Sequence, residues 1–222
     1  MKEKKDVNIT KKQYSIKEEI ANGVTHGLGV IFGIVSLLVL LGLSIKNGDR
    51  LAIVAFSIYG ACFILMYLSS TLYHSITNEK AKSIIRVFDH SSIFLFIAGT
   101  YTPIALLALV GRLRIGILIS VWAIAILGIV FKILTYNKFD KYKVVSLSLY
   151  IGMGWIAVFT IKPIIQMTSL SFFMWILGGG VLYTLGTIFY SNKKIPYNHA
   201  IWHVFVLAAS VLHFVGIFKY LA

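Results

Sequence analysis

Seven apolar stretches divide the chain, at roughly 20–45, 51–74, 88–110, 114–135, 143–163, 170–190 and 198–220. A helix needs about 20 such residues to cross a hydrocarbon core ~30 Å thick, and every stretch is long enough. None alternates polar and apolar residues, as a membrane barrel strand would. The connections are short, so consecutive spans are expected to lie antiparallel and side by side. Hydrophobic residues make up 58% of the chain and charged residues 13%. An ordinary soluble domain carries about 25% charge, so too little polar surface is available to cover a water-exposed globule. The expected fold is therefore all-α and polytopic: seven transmembrane helices over 20–222, preceded by a polar arm over 1–19. No internal repeat is visible, which argues against an inverted-repeat transporter. Cys62 is the single cysteine, so no intrachain disulfide is possible.

The formal net charge of +13 invites a nucleic-acid partner. The placement of the charges argues for membrane lipids instead, because they fall almost wholly between the apolar stretches. The arm contributes Lys2, Lys4, Lys5, Lys11, Lys12 and Lys17. Later connections on the same side add Lys80, Lys82, Arg86, Lys132, Lys138, Lys141, Lys143, Lys193 and Lys194, for fifteen in all. The opposite side holds six: Lys46, Arg50, Arg112, Arg114, Lys162 and Lys219. The positive-inside rule then places the N-terminus in the cytoplasm and, after seven spans, the C-terminus outside the cell membrane. The arm has no short apolar core followed by a small-residue cleavage site, so a secretory leader is not expected.

This topology decides which polar residues can meet. Span 2 ends inside at His74, span 3 opens with Asp89 and His90, and span 7 opens with His199 and His203. Span 1 opens with Glu18, Glu19, Asn22 and His26. Five of the six histidines thus share the cytoplasmic end. Ionisable residues at membrane depth cost several kcal/mol and usually mark function. His199 and His203 are four apart, so a helix puts both imidazoles on one face, a standard spacing for two ligands of one metal. His74 can supply a third. Three histidines with an open fourth position describe a catalytic-type zinc site, whose bound water turns acidic near pH 7. Asp89 and Ser70, the latter one turn before His74, are the nearby groups suited to proton transfer and orientation. Asp89 would also suit a helix N-cap on span 3, and Ser70 a back-bond to the carbonyl of residue 66. His90 lies about 100° around the helix from Asp89, and His213 is about 15 Å along the helix from His203, so neither belongs to the ligand set. His26, with Asn22 and Glu19, forms a polar stripe better suited to supporting the site than to ligation. Tyr101, Thr102 and Pro103 are expected to bend span 3.

The segments SSTLYHSI (69–76), FDHSSIFLFIAGTYTP (88–103) and NHAIWHVFVLAASVLHF (198–214), with EEIANGVTHGLG (18–29) opening span 1, resemble the hemolysin III family. That family is the bacterial branch of the progestin and adipoQ receptor superfamily, which includes the adiponectin receptors. The resemblance covers essentially the whole chain. It implies seven helices, an inward N-terminus and a zinc ion near the cytoplasmic side held by His74, His199 and His203. It places Asp89 against the metal-bound water and matches Ser70 to the family's span-2 serine. The short arm departs from the receptor branch, which argues against hormone reception. The superfamily is similar to alkaline ceramidases, which implies lipid amide hydrolysis, whereas the family name records haemolysis.

Three functions follow as expectations. The first is a zinc-dependent hydrolase of lipid amides or esters. The second is a cytolytic pore, which a chain this apolar suits poorly because a released toxin needs a soluble form. The third is a non-enzymatic sensor or regulator of membrane state. A retinal-type receptor is disfavoured, since span 7 carries no lysine at mid-membrane.

Overall fold

The computed structural model describes residues 14–139 and 141–222; most of the basic arm lies outside them. The described residues form helices and no strands: α1 (Ile16–Lys46), α2 (Arg50–Ser75), α3 (Glu79–Ala108), α4 (Gly111–Leu134), α5 (Lys143–Gly154), α6 (Ile161–Met167), α7 (Leu170–Ser191) and α8 (Asn198–Leu221). Short 3-10 turns occupy Tyr136–Lys138 and Trp155–Thr160. Seven helical segments are long and apolar enough to span a membrane, with α5, α6 and the turn between them making one. Large apolar side chains such as Leu38, Ile119, Leu127 and Val144 face outward, where a bilayer is the only favourable solvent. The chain is a multi-pass membrane protein.

The helix starts are written in local chemistry. Ser15 and Glu18 form a capping box, in which the Glu18 amide donates to Ser15 Oγ and the Ser15 amide donates to Glu18 Oε2 at 2.8 Å. Asp49, Asn78 and Ser169 cap α2, α3 and α7 by accepting from backbone amides three residues on. Helix α8 begins differently. Tyr197 sits at φ 54°, a left-handed conformation that costs a bulky residue about 1–2 kcal/mol. Asn198 offsets part of this by donating to the Phe189 carbonyl at 3.0 Å, which ties the first turn of α8 to the end of α7.

Three expectations are corrected. Helix α3 starts at Glu79, well before the apolar stretch at 88, because Asn78 caps a polar first part that hydropathy alone does not register. Asp89 therefore lies about three turns inside α3 and is not its N-cap. Lys132, counted among the loop charges, is buried in α4. Its Nζ donates to Ser146 Oγ at 2.6 Å and lies 5.0 Å from the Phe139 ring centroid. The fifth span is broken rather than continuous. At the break the Tyr101 hydroxyl accepts from the Ala157 amide at 2.7 Å and donates to the Gly154 carbonyl at 2.5 Å. A side chain from α3 thus satisfies backbone groups that the change of helix type releases, which membrane interiors require.

Helix α3 is the most buried span. It packs on α2, α4, α5 and α8, while α1 packs on both α2 and α8. The closeness of α1 and α2 depends on Gly29, where an added Cβ would lie 2.1 Å from the Tyr67 ring. This approach sets α1, α2 and α8 side by side at the end where the histidines sit.

Candidate metal centre

His74 ends α2, while His199 and His203 share one face in the first turns of α8. The structure brings all three together, with one potential ligand nitrogen from each lying within 4.8 Å of the others. Ring centroids are 5.1 Å apart for His74 and His199, 5.3 Å for His74 and His203, and 4.4 Å for His199 and His203.

The surrounding groups decide which nitrogen each ring offers. His74 Nδ1 lies 2.5 Å from Glu19 Oε2, and a carboxylate can only accept, so Nδ1 carries the proton. Glu19 is itself held by Lys82 of α3, whose Nζ is 2.6 Å from Oε1. The Asn22 side-chain amide flanks the same imidazole nitrogen at 3.5 Å. His203 Nδ1 lies 3.2 Å from the Asn22 carbonyl, so it too carries its proton on Nδ1, with Thr25 Oγ1 also at 3.2 Å. Both rings therefore turn a bare Nε2 toward the cluster. These two nitrogens and His199 Nδ1 are buried and have no hydrogen-bond partner.

Buried polar atoms are seldom left without partners, so a partnerless nitrogen on each of three clustered rings marks a group that could hold a metal. Imidazole donors without thiolates suit zinc among other transition metals. Tetrahedral Zn–N bonds of about 2.0–2.1 Å put ligand nitrogens roughly 3.4 Å apart, within small side-chain rotations of the observed spacing. The donors fit the ion. A carboxylate or carbonyl on the second nitrogen of each ligand ring is the usual support for such a site.

Aromatic residues cover the cluster. Tyr14 stacks on His199 with centroids 5.3 Å apart and meets His74 edge-on at 6.2 Å. Burial pushes the Tyr14 phenol up from its ordinary pKa, so it is a neutral cover. His26 stacks on His203 at 3.4 Å and offers no ligand atom to the trio.

Asp89 lies on the wall of an adjoining cavity of about 190 Å³, which His26 also lines. Its carboxylate is 3.3 Å from His90 Nδ1, and it offers no ligand atom to the trio. His90 turns from the trio, with Nδ1 2.9 Å from the Arg86 carbonyl and its ring stacked on Phe139. Ser70 is buried one turn before His74, but the hydroxyl that meets the Met66 carbonyl is that of its neighbour Ser69. His213 stands apart from the cluster. The cavity continues from Asp89 past Tyr101 and Trp155 toward Ile164 and Phe173, and its wall is mainly apolar.

The partners missed from sequence are Tyr14 and Thr25, together with the specific pairing of Glu19 to His74. The signal for the last was present, since Glu19, Asn22 and His26 recur at three and four residues along one face of α1.

Fold and site define a seven-helix membrane protein with a cluster of three histidines at one end of the bundle. A family model described as "Haemolysin-III related" matches residues 14–214, and the chain belongs to that family. It is 45% identical over 207 residues to "Hemolysin-3 homolog" of Bacillus subtilis (strain 168), covering 93% of this chain and 96% of that one. Against "Hemolysin-3" of Bacillus cereus the identity is 43% over 212 residues, covering 96% and 95%. The human "Monocyte to macrophage differentiation factor" is 30% identical over 213 residues, covering 92% of this chain and 84% of its own.

Proposed function

We propose that the protein is a zinc-dependent hydrolase of lipid amides or esters, with its metal centre near the cytoplasmic face. The observation that carries this reading is the set of three partnerless imidazole nitrogens beside a mainly apolar cavity that holds a carboxylate. His74, His199 and His203 would hold the ion. When bound, zinc polarises a carbonyl and lowers the pKa of coordinated water toward neutrality. Glu19 and the Asn22 carbonyl hold two of the ligand rings in one tautomer, so the site is prepared before the metal arrives. Asp89, on the cavity wall, accepts a proton at its carboxylate, which His90 flanks at 3.3 Å. Ser70 adds a buried hydroxyl one turn before His74. The apolar cavity takes a hydrocarbon chain from the surrounding leaflet and keeps bulk water away from the reacting carbonyl.

A structural zinc site fills all four positions with protein, whereas among the described residues three ligand atoms come together here. That difference favours turnover over a purely structural or sensing role. The names of the Bacillus relatives favour a second reading, cytolysis. One comparison separates them. Lipid extracts of cells with and without the protein are analysed beside cells making Asp89→Asn, and purified proteins are tested for dye release from liposomes. The hydrolase predicts a lipid product that disappears in Asp89→Asn while zinc content is kept. Dye release that persists in Asp89→Asn and His203→Ala, with no lipid product from the parent, would replace the hydrolase with the pore. Neither product nor release favours a regulator of membrane state.

A further inference from the structure

A second polar group lies outside the histidine trio, behind a residue of the cavity wall. Tyr183 of α7 lines the cavity, and its hydroxyl and that of Tyr67 of α2 are each 2.8 Å from Ser210 Oγ of α8. Ser210 Oγ is also 2.8 Å from the Val206 carbonyl. A carbonyl has no proton to give, so the Ser210 proton must go to Val206. The two tyrosines must then both donate to Ser210. All three protons are committed, and the lone pairs of both phenol oxygens remain unfilled.

His213 leads to the same deficit. Its Nε2 lies 2.9 Å from the Ile176 carbonyl, so Nε2 carries the proton and Nδ1 of the neutral ring is a bare acceptor. That nitrogen is buried, has no partner, and belongs to a ring on the cavity wall. The ring sits 5.5 Å from that of Tyr183, which lines the same wall. Gly179 makes room for it, since a Cβ there would lie 2.2 Å from His213 Cδ2. The buried His213 Nδ1 thus lacks a donor, and the Tyr183 oxygen on the same wall can still accept; in a membrane interior a partnerless polar atom is costly.

We propose that Tyr183, His213 and the Tyr67–Ser210 pair form a binding station for an O–H donor, separate from the metal centre. A water molecule and the hydroxyl of an amphiphile share the required chemistry. The station discriminates by hydrogen bonding: a chain that ends in a hydroxyl is held, and a plain hydrocarbon of equal length is not. This inference does not depend on zinc.

Solid-state NMR of the full chain, labelled with 15N-histidine, reads the station directly. Hydrated phosphatidylcholine bilayers provide water as the only external O–H donor, and 1-tetradecanol is then added. The His213 Nδ1 resonance is identified by its loss in His213→Gln. Should that variant not accumulate, Gly179→Ala identifies it, because the added Cβ must displace that ring. The expected result is an Nδ1 resonance shifted upfield of a free acceptor nitrogen, with a cross-peak to the donor proton. Correlation with water names water as the occupant; correlation with alkyl protons of the alcohol names the amphiphile. An Nδ1 at the free-acceptor position in both samples, or a ring protonated at Nδ1 and bare at Nε2, would overturn the proposal.

Discussion

Glu19 Oε2 lies 2.5 Å from His74 Nδ1, so a carboxylate from the first helix fixes the ring that ends the second. The same carboxylate binds Lys82 of α3 through its other oxygen. One acidic residue thereby joins three helices around one candidate ligand. Glu19→Gln keeps the shape and the hydrogen-bonding reach but removes the charge that favours protonation at Nδ1. Loss of such a supporting partner typically costs about 10–100-fold in metal affinity. Competition with a fluorescent zinc chelator should show a loss in that range, with the helical circular dichroism unchanged. Unaltered affinity would mean that Glu19 serves α1 packing and not the ligand.

The three histidines make a sharper forecast. Purified protein should carry near-stoichiometric zinc, measured by elemental analysis, and the double variant His199→Ala, His203→Ala should lose it. His213→Ala should retain it, because that ring lies outside the cluster. Zinc that survives the double substitution would refute the ligand set.

Gly29→Ala tests the packing that brings the ligands together. The new methyl would meet the Tyr67 ring, and overpacking of this kind costs about 1–3 kcal/mol. A lower thermal midpoint in detergent is expected. Gly42→Ala is the control, since nothing lies within 4 Å of a Cβ there.

Orientation follows from the uneven distribution of Lys and Arg, and the burial of Lys132 removes only one residue from the heavier side. A reporter that works only in the cytoplasm should be active when inserted in the 76–78 connection and silent after Ala222. Activity at both ends would contradict the proposed topology.

The spans and the three histidines were legible because each rests on a local pattern. Hydrophobic length marks a crossing, and a four-residue interval puts His199 and His203 on one face. The start of α3 was obscured by its own polarity, although Asn78 and Glu79 are ordinary start signals. Other features depend on partners far along the chain. The break in the fifth span is supported by Tyr101, and the burial of Lys132 by Ser146 and Phe139. No window of sequence around either break or lysine contains its partner's geometry. His26 is similar: the stripe on α1 was visible, but its stacking on His203 required α1 and α8 to be neighbours.

The position of the cluster also sets an order of events during synthesis. His74 belongs to the second helix, while His199 and His203 belong to the last. A ribosome that has inserted six spans has delivered one ligand. The other two emerge only with α8, which must then find its place against α1. Any ion that needs all three imidazoles must therefore wait for α8, at a bundle whose other described helices precede it in synthesis.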